Sequence, residues 1–323
     1  MTTPLLSIEG LVKHYQAGRF LSRATPPVKA VDGVSFTIAP GETLGLVGES
    51  GSGKSTIGRA VLRLEPPTAG VVRFEGNDLA LLDAATMRAT RRRMQIVFQD
   101  PLGALNPRRT VGDSVAEGLV IHRLATAREL PDRVAQLLEE VGLDASYASR
   151  YPHEFSGGQR QRVGIARALA VEPRFIVCDE PVSALDVSVQ AQVLNLLLDL
   201  RDRHQLAYLF IAHDLAVVQQ VAHRIAVMYL GTIVEIGPAR PIISTPRHPY
   251  TQALVSAVPD PDPASGRRRI VLEGEPPSPA VPPPGCPFAP RCFHPSRDTR
   301  CSTERPVLRA IGDREVACHY ADA

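Results

Sequence analysis

The sequence has almost no excess charge and no long apolar run. Its 36 Lys and Arg stand against 34 Asp and Glu, which gives a formal net charge of +2. This balance offers no electrostatic argument for nucleic acid as the main partner. The start, MTTPLLSIEG, lacks the basic and apolar parts of a signal peptide, and no window approaches the ~18 apolar residues of a membrane span. We therefore expect a chain that works in the cytosol.

Cysteine is nearly absent from most of the chain and concentrated at its end. Of the five cysteines only Cys178 lies in the body, inside an apolar segment, where we expect it to be a small buried residue. The other four are Cys286, Cys292, Cys301 and Cys318. Proline is divided in the same way, with 12 in residues 1–236 and 17 in residues 237–323. A disulfide framework is not expected in a reducing compartment, so the cysteine cluster needs another explanation.

Strand-like and helix-like segments alternate along the body. Short apolar segments (LLSIEGLV, KAVDGVSFTI, ETLGLVG) predict strands before residue 48, and the polar QAGRFLSRATPP between the first two predicts a loop. RMQIVFQ predicts another strand, and the nearly uninterrupted apolar RFIVCDE and LAYLFIAH predict strands buried on both faces. Residues 100–170 are mostly helical in pattern. The alternation predicts a parallel α/β sheet with an inserted helical lobe.

Proline dominates the remaining segments. PARPIISTPRHPY, PDPDPASGRRR and EPPSPAVPPPG are predicted to be extended or turn-forming, because proline fixes φ and lacks an amide donor. We expect a linker and appendage here rather than a second large core.

The segment GLVGESGSGKST matches GxxxxGK[ST], with a strand before it and a helix after it. In this context glycines let backbone N–H groups converge on phosphates. Lys54 would reach the β and γ phosphates, and Ser55 would hold Mg²⁺. The alternative is a glycine-rich turn with an exposed lysine. The predicted phosphate-binding residues are Gly48, Ser50, Gly51, Ser52, Gly53, Lys54, Ser55 and Thr56.

An acidic pair ends the apolar strand RFIVCDE. Asp179 suits Mg²⁺, held through a coordinated water, and Glu180 suits polarising the attacking water. Adjacent carboxylates could instead cap a following helix, but the phosphate loop in the same chain favours the catalytic interpretation.

The chain also has Gln99 after a strand, FSGGQRQR at 155–162, SALD at 183–186 and His213 at the end of a strand. Together with the phosphate loop and Asp179-Glu180, these motifs resemble, in order and spacing, those of the ATPase subunits of ATP-binding cassette transporters over roughly residues 5–237. The resemblance implies a P-loop NTPase cassette fold (residues 1–237) with an antiparallel β subdomain, a helical signature subdomain (about residues 100–170) and a Pro/Cys-rich C-terminal tail (residues 238–323). It also implies ATP and Mg²⁺ as cofactors and head-to-tail pairing of two subunits around each ATP.

Individual roles follow from the resemblance. Gln99 is similar to the glutamine that contacts Mg²⁺ or water beside the membrane subunits, and His213 to the switch histidine at the γ-phosphate. Asp186 resembles the aspartate that couples the two sites, although by itself it could be a helix cap. Tyr15 resembles the residue that stacks on adenine. The Mg²⁺ ligands would be Ser55, Gln99 and Asp179, and the residues facing the partner's ATP would be Ser156, Gly157, Gly158 and Gln159.

The tail resembles a narrower group. PRHPYTQAL and GCPFAPRC, with FQDPLGALNPRRT after Gln99, are similar to ATPase subunits of oligopeptide and dipeptide importers and of related nickel or glutathione importers. AVDGVSF resembles the second of their two ATPase types. The implied partners are a second ATPase subunit in a heterodimer, two membrane permease subunits and an extracytoplasmic peptide-binding protein, without nucleic acid. The implied location is peripheral, at the cytoplasmic face of the membrane.

The four tail cysteines are spaced C-x5-C-x8-C-x16-C. Clustered thiolates select zinc or an iron–sulfur cluster, and this spacing lacks the CxxC knuckles of zinc ribbons. Related importer subunits carry a four-iron cluster, so the resemblance implies [4Fe–4S] on Cys286, Cys292, Cys301 and Cys318. Zinc, with His294 or His319 replacing one thiolate, and unmetallated thiols remain open.

Two other functions are weighed against transport. A soluble cassette ATPase acting on DNA or ribosomes is disfavoured, because only about 100 residues separate Gly48 from Ser156 and the chain has one cassette. A metal-binding regulator with an inactive cassette is disfavoured because every catalytic position is occupied.

Overall fold

The computed structural model describes residues 3–16, 26–258 and 269–322. The chain forms two compact units, one of Met1–Ile38, Thr43–Ala80 and Ile211–Ala323, the other of Ala39–Glu42 and Leu81–Phe210. Most of the predicted QAGRFLSRATPP loop and nearly all of PDPDPASGRRR lie outside the described residues. Within those residues, none of the helices combines the length and apolar character that a membrane crossing requires.

The described elements follow the predicted alternation. The strands are β1 (Leu6–Tyr15), β2 (Val28–Ile38), β3 (Thr43–Val47), β4 (Ala69–Phe74), β5 (Asn77–Asp78), β6 (Met94–Val97), β7 (Phe175–Asp179), β8 (Ala207–Ala212), β9 (Arg224–Tyr229), β10 (Thr232–Pro238), β11 (Arg309–Ile311) and β12 (Arg314–Val316). The helices are α1 (Lys54–Val61), α2 (Ala84–Arg93), α3 (Pro101–Ala104), α4 (Val111–Ile121), α5 (Leu130–Glu140), α6 (Gly157–Leu169), α7 (Val187–His204), α8 (Leu215–Val221), α9 (Ala239–Ser244), α10 (Pro249–Ser256) and α11 (Thr299–Thr303).

The first unit contains an antiparallel sheet with the strand order β2-β1-β4-β5 among the described residues. Leu6 pairs with Ile38 and with Phe74, and all three side chains are buried. A second set of strands in this unit runs β11-β12-β10-β9-β3. Strands β3 and β9 are parallel, and β9, β10, β12 and β11 pair antiparallel. All five residues of β3 are buried, as expected of a central strand.

The second unit carries β6, β7 and the part of β8 up to Phe210 as neighbours, with β6 and β7 parallel. Cys178 on β7 is fully buried, which confirms its prediction as a core residue, and burial raises the pKa of its thiol. The predicted helical lobe is confirmed by α4, α5 and α6. Helix α4 begins with a capping box in which Thr110 accepts from the Asp113 amide, and it packs on α5 and α6.

The prediction that PARPIISTPRHPY is extended or turn-forming is wrong. Residues Ala239–Ser244 form α9, and α10 begins at Pro249. A proline is tolerated in the first turn of a helix, where its missing amide donor has no helical acceptor. His248 caps α10, because its Nδ1 accepts from the Tyr250 amide at 3.0 Å. The segment EPPSPAVPPPG forms neither helix nor strand, as predicted.

The tail is also joined to the sheet through a buried carboxylate. Glu235 on β10 is 0% exposed and lies opposite Val316 of β12. Its side chain accepts from the backbone amides of Arg247 and His248 at 3.1 and 2.9 Å, and from the Arg314 guanidinium at 3.4 Å. Charge-assisted hydrogen bonds of this kind stabilise a buried carboxylate. The described part of the tail therefore packs on β10 within the first unit, while the boundary at residues 237/238 stays a prediction.

Candidate nucleotide-binding site

The predicted phosphate loop connects the end of β3 to the start of α1, as its motif requires. Gly48, the first loop residue, has φ +155°, and a Cβ placed there would lie 2.1 Å from the Met228 carbonyl oxygen. Only glycine fits that approach. The strand–loop–helix context predicted from the sequence is confirmed, and it points the amides at the start of α1 toward the loop.

Lys54 lies within this loop and is only 4% exposed. Its Nζ donates to the carbonyl oxygens of Gly48 at 2.7 Å and Glu49 at 2.9 Å. The loop therefore contains a buried cation held by the backbone of residues 48–49. The alternative, a glycine-rich turn with an exposed lysine, is wrong.

Two side chains from the tail also contact the loop, and sequence reasoning missed both. The Glu49 amide donates to the Tyr250 hydroxyl at 2.8 Å. Arg291 Nη1 donates to both carboxylate oxygens of Glu49, at 3.1 and 2.9 Å. Burial lowers the pKa of Arg291, but the hydrogen bonds with Glu49 and Tyr229 and the attraction of their charges together raise it. Both residues lie in segments that carried the resemblance, Tyr250 in PRHPYTQAL and Arg291 in GCPFAPRC, but no local pattern pairs either of them with the loop.

Tyr15 ends β1 and is half-buried in the same unit. Its hydroxyl donates to Glu65, and Lys13 Nζ lies 5.0 Å from the centre of its ring. Burial and the Glu65 hydrogen bond raise the pKa of Tyr15, and a hydrogen bond with Thr56 partly offsets them. Tyr15 thus lies beside the end of the loop, and its stacking on adenine stays a prediction. His213 is exposed, one residue after β8.

In the second unit the predicted acidic pair ends β7. Asp179 is 6% exposed, and Glu180 has φ +46°, a left-handed conformation that costs energy for a residue with a side chain. Gln99 Nε2 donates to Glu180 Oε2 at 3.1 Å. The Ser183 amide and hydroxyl donate to the Glu180 carbonyl at 3.2 and 3.1 Å. The structure therefore brings Gln99 to Glu180 and fixes the turn that presents the carboxylate.

The signature residues open α6 in the same unit. Ser156 caps the helix, with its hydroxyl accepting from the Gln159 amide at 3.3 Å, and both Ser156 and Gly157 are exposed. A Cβ on Gly158 would lie 2.3 Å from Val189 Cγ1, so glycine allows α6 to pack on α7. Asp186 caps α7 and accepts from the Val189 amide at 3.0 Å. Its interpretation as a helix cap is confirmed, while its coupling role stays a prediction.

The four tail cysteines line one small cavity of about 10 Å³, together with His294 and His319. This is about the room that one water molecule needs. Among the described residues, no three His, Cys, Asp or Glu side chains are arranged to hold a metal ion. Burial raises the pKa of Cys286 to about 11 and also raises those of Cys292 and Cys318, which favours neutral thiols. The donor atoms suit a soft metal, but the space between them does not fit a four-iron cluster.

Two family models match the chain. One, described as ABC transporter, matches residues 31–183, which include the phosphate loop, Gln99, the signature and the acidic pair. The other, described as Oligopeptide/dipeptide transporter, C-terminal region, matches residues 234–301.

Individual proteins resemble the chain over nearly its full length. A "putative peptide import ATP-binding protein" of Brucella ovis is 55% identical over 309 residues, covering 96% of this chain and 95% of that protein. The dipeptide transport ATP-binding protein DppF of Haemophilus influenzae is 48% identical over 321 residues, covering 99% and 98%. Among solved structures, the dimeric ATP-binding cassette MJ0796 bound to ADP and Pi has a TM-score of 0.65 and 29% identity, covering 73% of this chain and 99% of that one.

Proposed function

We propose that this chain, which belongs to the ABC transporter family, is the ATP-hydrolysing subunit that powers import of di- and oligopeptides through a separate membrane permease. The observation that carries the proposal is that one chain contains both a segment matched by the ABC transporter model and a tail matched by the oligopeptide/dipeptide transporter model. The names of its full-length relatives point to the same function.

The residues proposed for the phosphate chemistry are those of the sequence motifs. Lys54 and the amides of residues 48–56 bind the β and γ phosphates, and Tyr15 stacks on adenine. Lys54 already donates to two carbonyl oxygens, and phosphate oxygens offer it charged acceptors in their place. Ser55, Gln99 and Asp179 would hold Mg²⁺, which when bound neutralises charge on the phosphates.

Glu180 orients and polarises the attacking water. Its strained turn and the hydrogen bond from Gln99 hold the carboxylate in one position before substrate binds, which supports this role. His213 contacts the γ-phosphate.

A second ATPase subunit completes each site, in a heterodimer. Ser156, Gly157, Gly158 and Gln159 face the ATP held by that subunit, and Asp186 couples the two sites. The exposure of Ser156 and Gly157 at the positive end of α6 supports an anion partner at this point. The dimeric form of MJ0796 supports pairing.

The permease is proposed to bind beside Gln99, with the chain peripheral at the cytoplasmic face of the membrane and with no nucleic acid partner. A mostly apolar cavity of about 90 Å³ lies next to Gln99, and Phe98 on its rim is 40% exposed. A cavity of this character supports insertion of an apolar segment of a partner protein. An extracytoplasmic peptide-binding protein would deliver substrate to the permease.

The tail is proposed to take up a [4Fe–4S] cluster on Cys286, Cys292, Cys301 and Cys318, with zinc as the alternative. The proposal is supported by the four cysteines lining one cavity and by the suitability of thiolates for a soft metal, and the cavity would have to widen to admit a cluster. Iron, sulfide and zinc analysis of protein purified without oxygen tests this. The control is the double variant Cys301→Ser, Cys318→Ser. If the wild-type chain contains no more iron and no more zinc than this control, both the cluster and the zinc proposal are contradicted.

The transport proposal is tested by co-expressing the chain with its permease and second ATPase candidates and reconstituting the complex in vesicles. We expect ATP-dependent uptake of labelled dipeptides, and recovery of a second, different ATPase on purification. Uptake of nickel or glutathione instead would favour the related importers, and a homodimer would contradict the heterodimer. Failure to associate with any membrane protein would contradict the transport role.

A further inference from the structure

An acidic residue occupies the anion-binding loop. Glu49 follows Gly48 and precedes the glycines and Lys54 of the motif. A carboxylate at this position repels a triphosphate, because like charges at short range raise each other's energy, the more so away from bulk water. The loop therefore needs compensation for the Glu49 charge before it can bind ATP tightly.

Arg291 supplies that compensation from the tail. Its Nη1 donates to both oxygens of the Glu49 carboxylate, at 3.1 and 2.9 Å. The Arg291 side chain is 8% exposed and that of Glu49 is 31% exposed. An ion pair shielded to this degree is screened far less than a surface pair, and removing one partner leaves an uncompensated charge.

The backbone of Glu49 is held as well. Its amide donates to the hydroxyl of Tyr250, which is itself 0% exposed, and its carbonyl accepts from Lys54. The carboxylate, amide and carbonyl of Glu49 thus each have a fixed partner, and two of the three partners come from the tail. This ties the conformation of the loop to that of the tail.

Arg291 is rigidly placed. It ends a 3-10 turn, Ala289–Arg291, between Cys286 and Cys292. The preceding Phe288 is fully buried, and its ring lies 5.3 Å from that of Tyr229 and 5.4 Å from that of Tyr250. The segment that carries the first two cysteines of the cluster therefore also carries the cation that neutralises the phosphate loop.

We infer that Arg291 is a positioning residue for ATP binding: it neutralises Glu49 and, together with Tyr250, fixes the phosphate loop. The inference rests on the proposed function, since it requires that residues 48–56 bind ATP. It gives the tail a direct role in nucleotide affinity and places that role one residue from Cys292.

The test is a charge-swap set in the full-length chain, with MgATP binding measured by calorimetry and hydrolysis by phosphate release. Arg291→Ala is expected to raise the Kd for MgATP about tenfold, the effect of one uncompensated charge near a phosphate at an effective dielectric of about 20–40. Arg291→Lys keeps the charge and should stay within about threefold of wild type. The double variant Arg291→Ala, Glu49→Gln removes both charges and should recover most of the affinity.

Arg305→Ala is the matched control. Arg305 forms another ion pair from the tail, with Asp32 at 2.9 Å, and has no described contact with the loop. The Arg305→Ala variant should bind MgATP with the same Kd as wild type. The melting temperatures of all variants show whether each of them folds.

An Arg291→Ala Kd within twofold of wild type would overturn the inference. A double variant that binds MgATP as weakly as Arg291→Ala would also overturn it. In that case Arg291 would have a merely structural role, which removal of the Glu49 charge cannot rescue. A wild-type chain that binds no MgATP would overturn the proposed function itself, a result distinct from any difference among the variants.

Discussion

Phe288 is a fully buried tail residue whose ring packs on Tyr229 of β9, and its removal should destabilise the first unit strongly. Its ring is 0% exposed and lies against the rings of Tyr229, Tyr250 and His248 at 5.3, 5.4 and 5.7 Å. Replacing a fully buried Phe by Ala costs about 3–5 kcal/mol, through lost transfer energy and the cavity left behind. Part of this is the ring–ring contribution, about 0.5–1.5 kcal/mol for each aromatic pair. We therefore expect Phe288→Ala to lower the free energy of unfolding by about 4 kcal/mol.

The assay is urea unfolding followed by tyrosine fluorescence, which is usable because the chain has seven Tyr and no Trp. Phe293→Ala is the matched control, since Phe293 lies five residues further along the same segment and is 42% exposed. It should cost less than about 1 kcal/mol. Equal losses in the two variants, or a loss below about 1 kcal/mol for Phe288→Ala, would refute the packing described here.

Two further predictions concern the packing of α6 and the pH dependence of the tail. Gly158→Ala should destabilise the second unit by about 1–3 kcal/mol, because its Cβ would lie 2.3 Å from Val189 Cγ1. Gly164→Ala in the same helix is the control, because its Cβ would meet nothing within 4 Å, and it should stabilise the protein by up to about 1 kcal/mol. If chemical denaturation finds Gly164→Ala less stable than Gly158→Ala, the contact between α6 and α7 is contradicted. Burial lowers the pKa of His248 from 6.5 to about 3, so below pH 6.5 the unfolded chain binds a proton that the folded chain does not. The stability of the wild type should therefore fall by about 2 kcal/mol between pH 7 and pH 5 through His248, while His248→Asn should not show this loss. Urea unfolding of both proteins at both pH values measures it. An equal loss of unfolding free energy in the two proteins would contradict the prediction.

How well the sequence predicts each part of the site depends on how far apart the interacting residues lie along the chain. The phosphate loop, its strand and its helix are specified by neighbouring residues, so their pattern could be read directly. Gln99 and Glu180 lie 81 residues apart and meet through a hydrogen bond, and each could be predicted because it ends a recognisable strand segment. The Glu49–Arg291 pair spans 242 residues, and a single arginine in a proline-rich segment has no periodic pattern that would reveal its partner.

The tail was harder to predict for a related reason. Proline content favours extended chain, but Pro249 occupies the first helical position, where proline is favoured, so α10 was missed. The anchor at Glu235 depends on Arg314, 79 residues further along the chain, and could not be inferred from local composition. In both places tertiary contacts decide a conformation that the local sequence leaves open.

The most direct test of the account is the ATP hydrolysis rate of Glu180→Gln beside wild type, in the assembled complex with its permease. The variant keeps the size of the side chain and one oxygen that can accept from Gln99, but removes the charge that polarises water. We expect MgATP binding to be retained and hydrolysis to fall by at least about a hundredfold, the usual contribution of a general base. Turnover by Glu180→Gln at the wild-type rate would contradict the catalytic assignment.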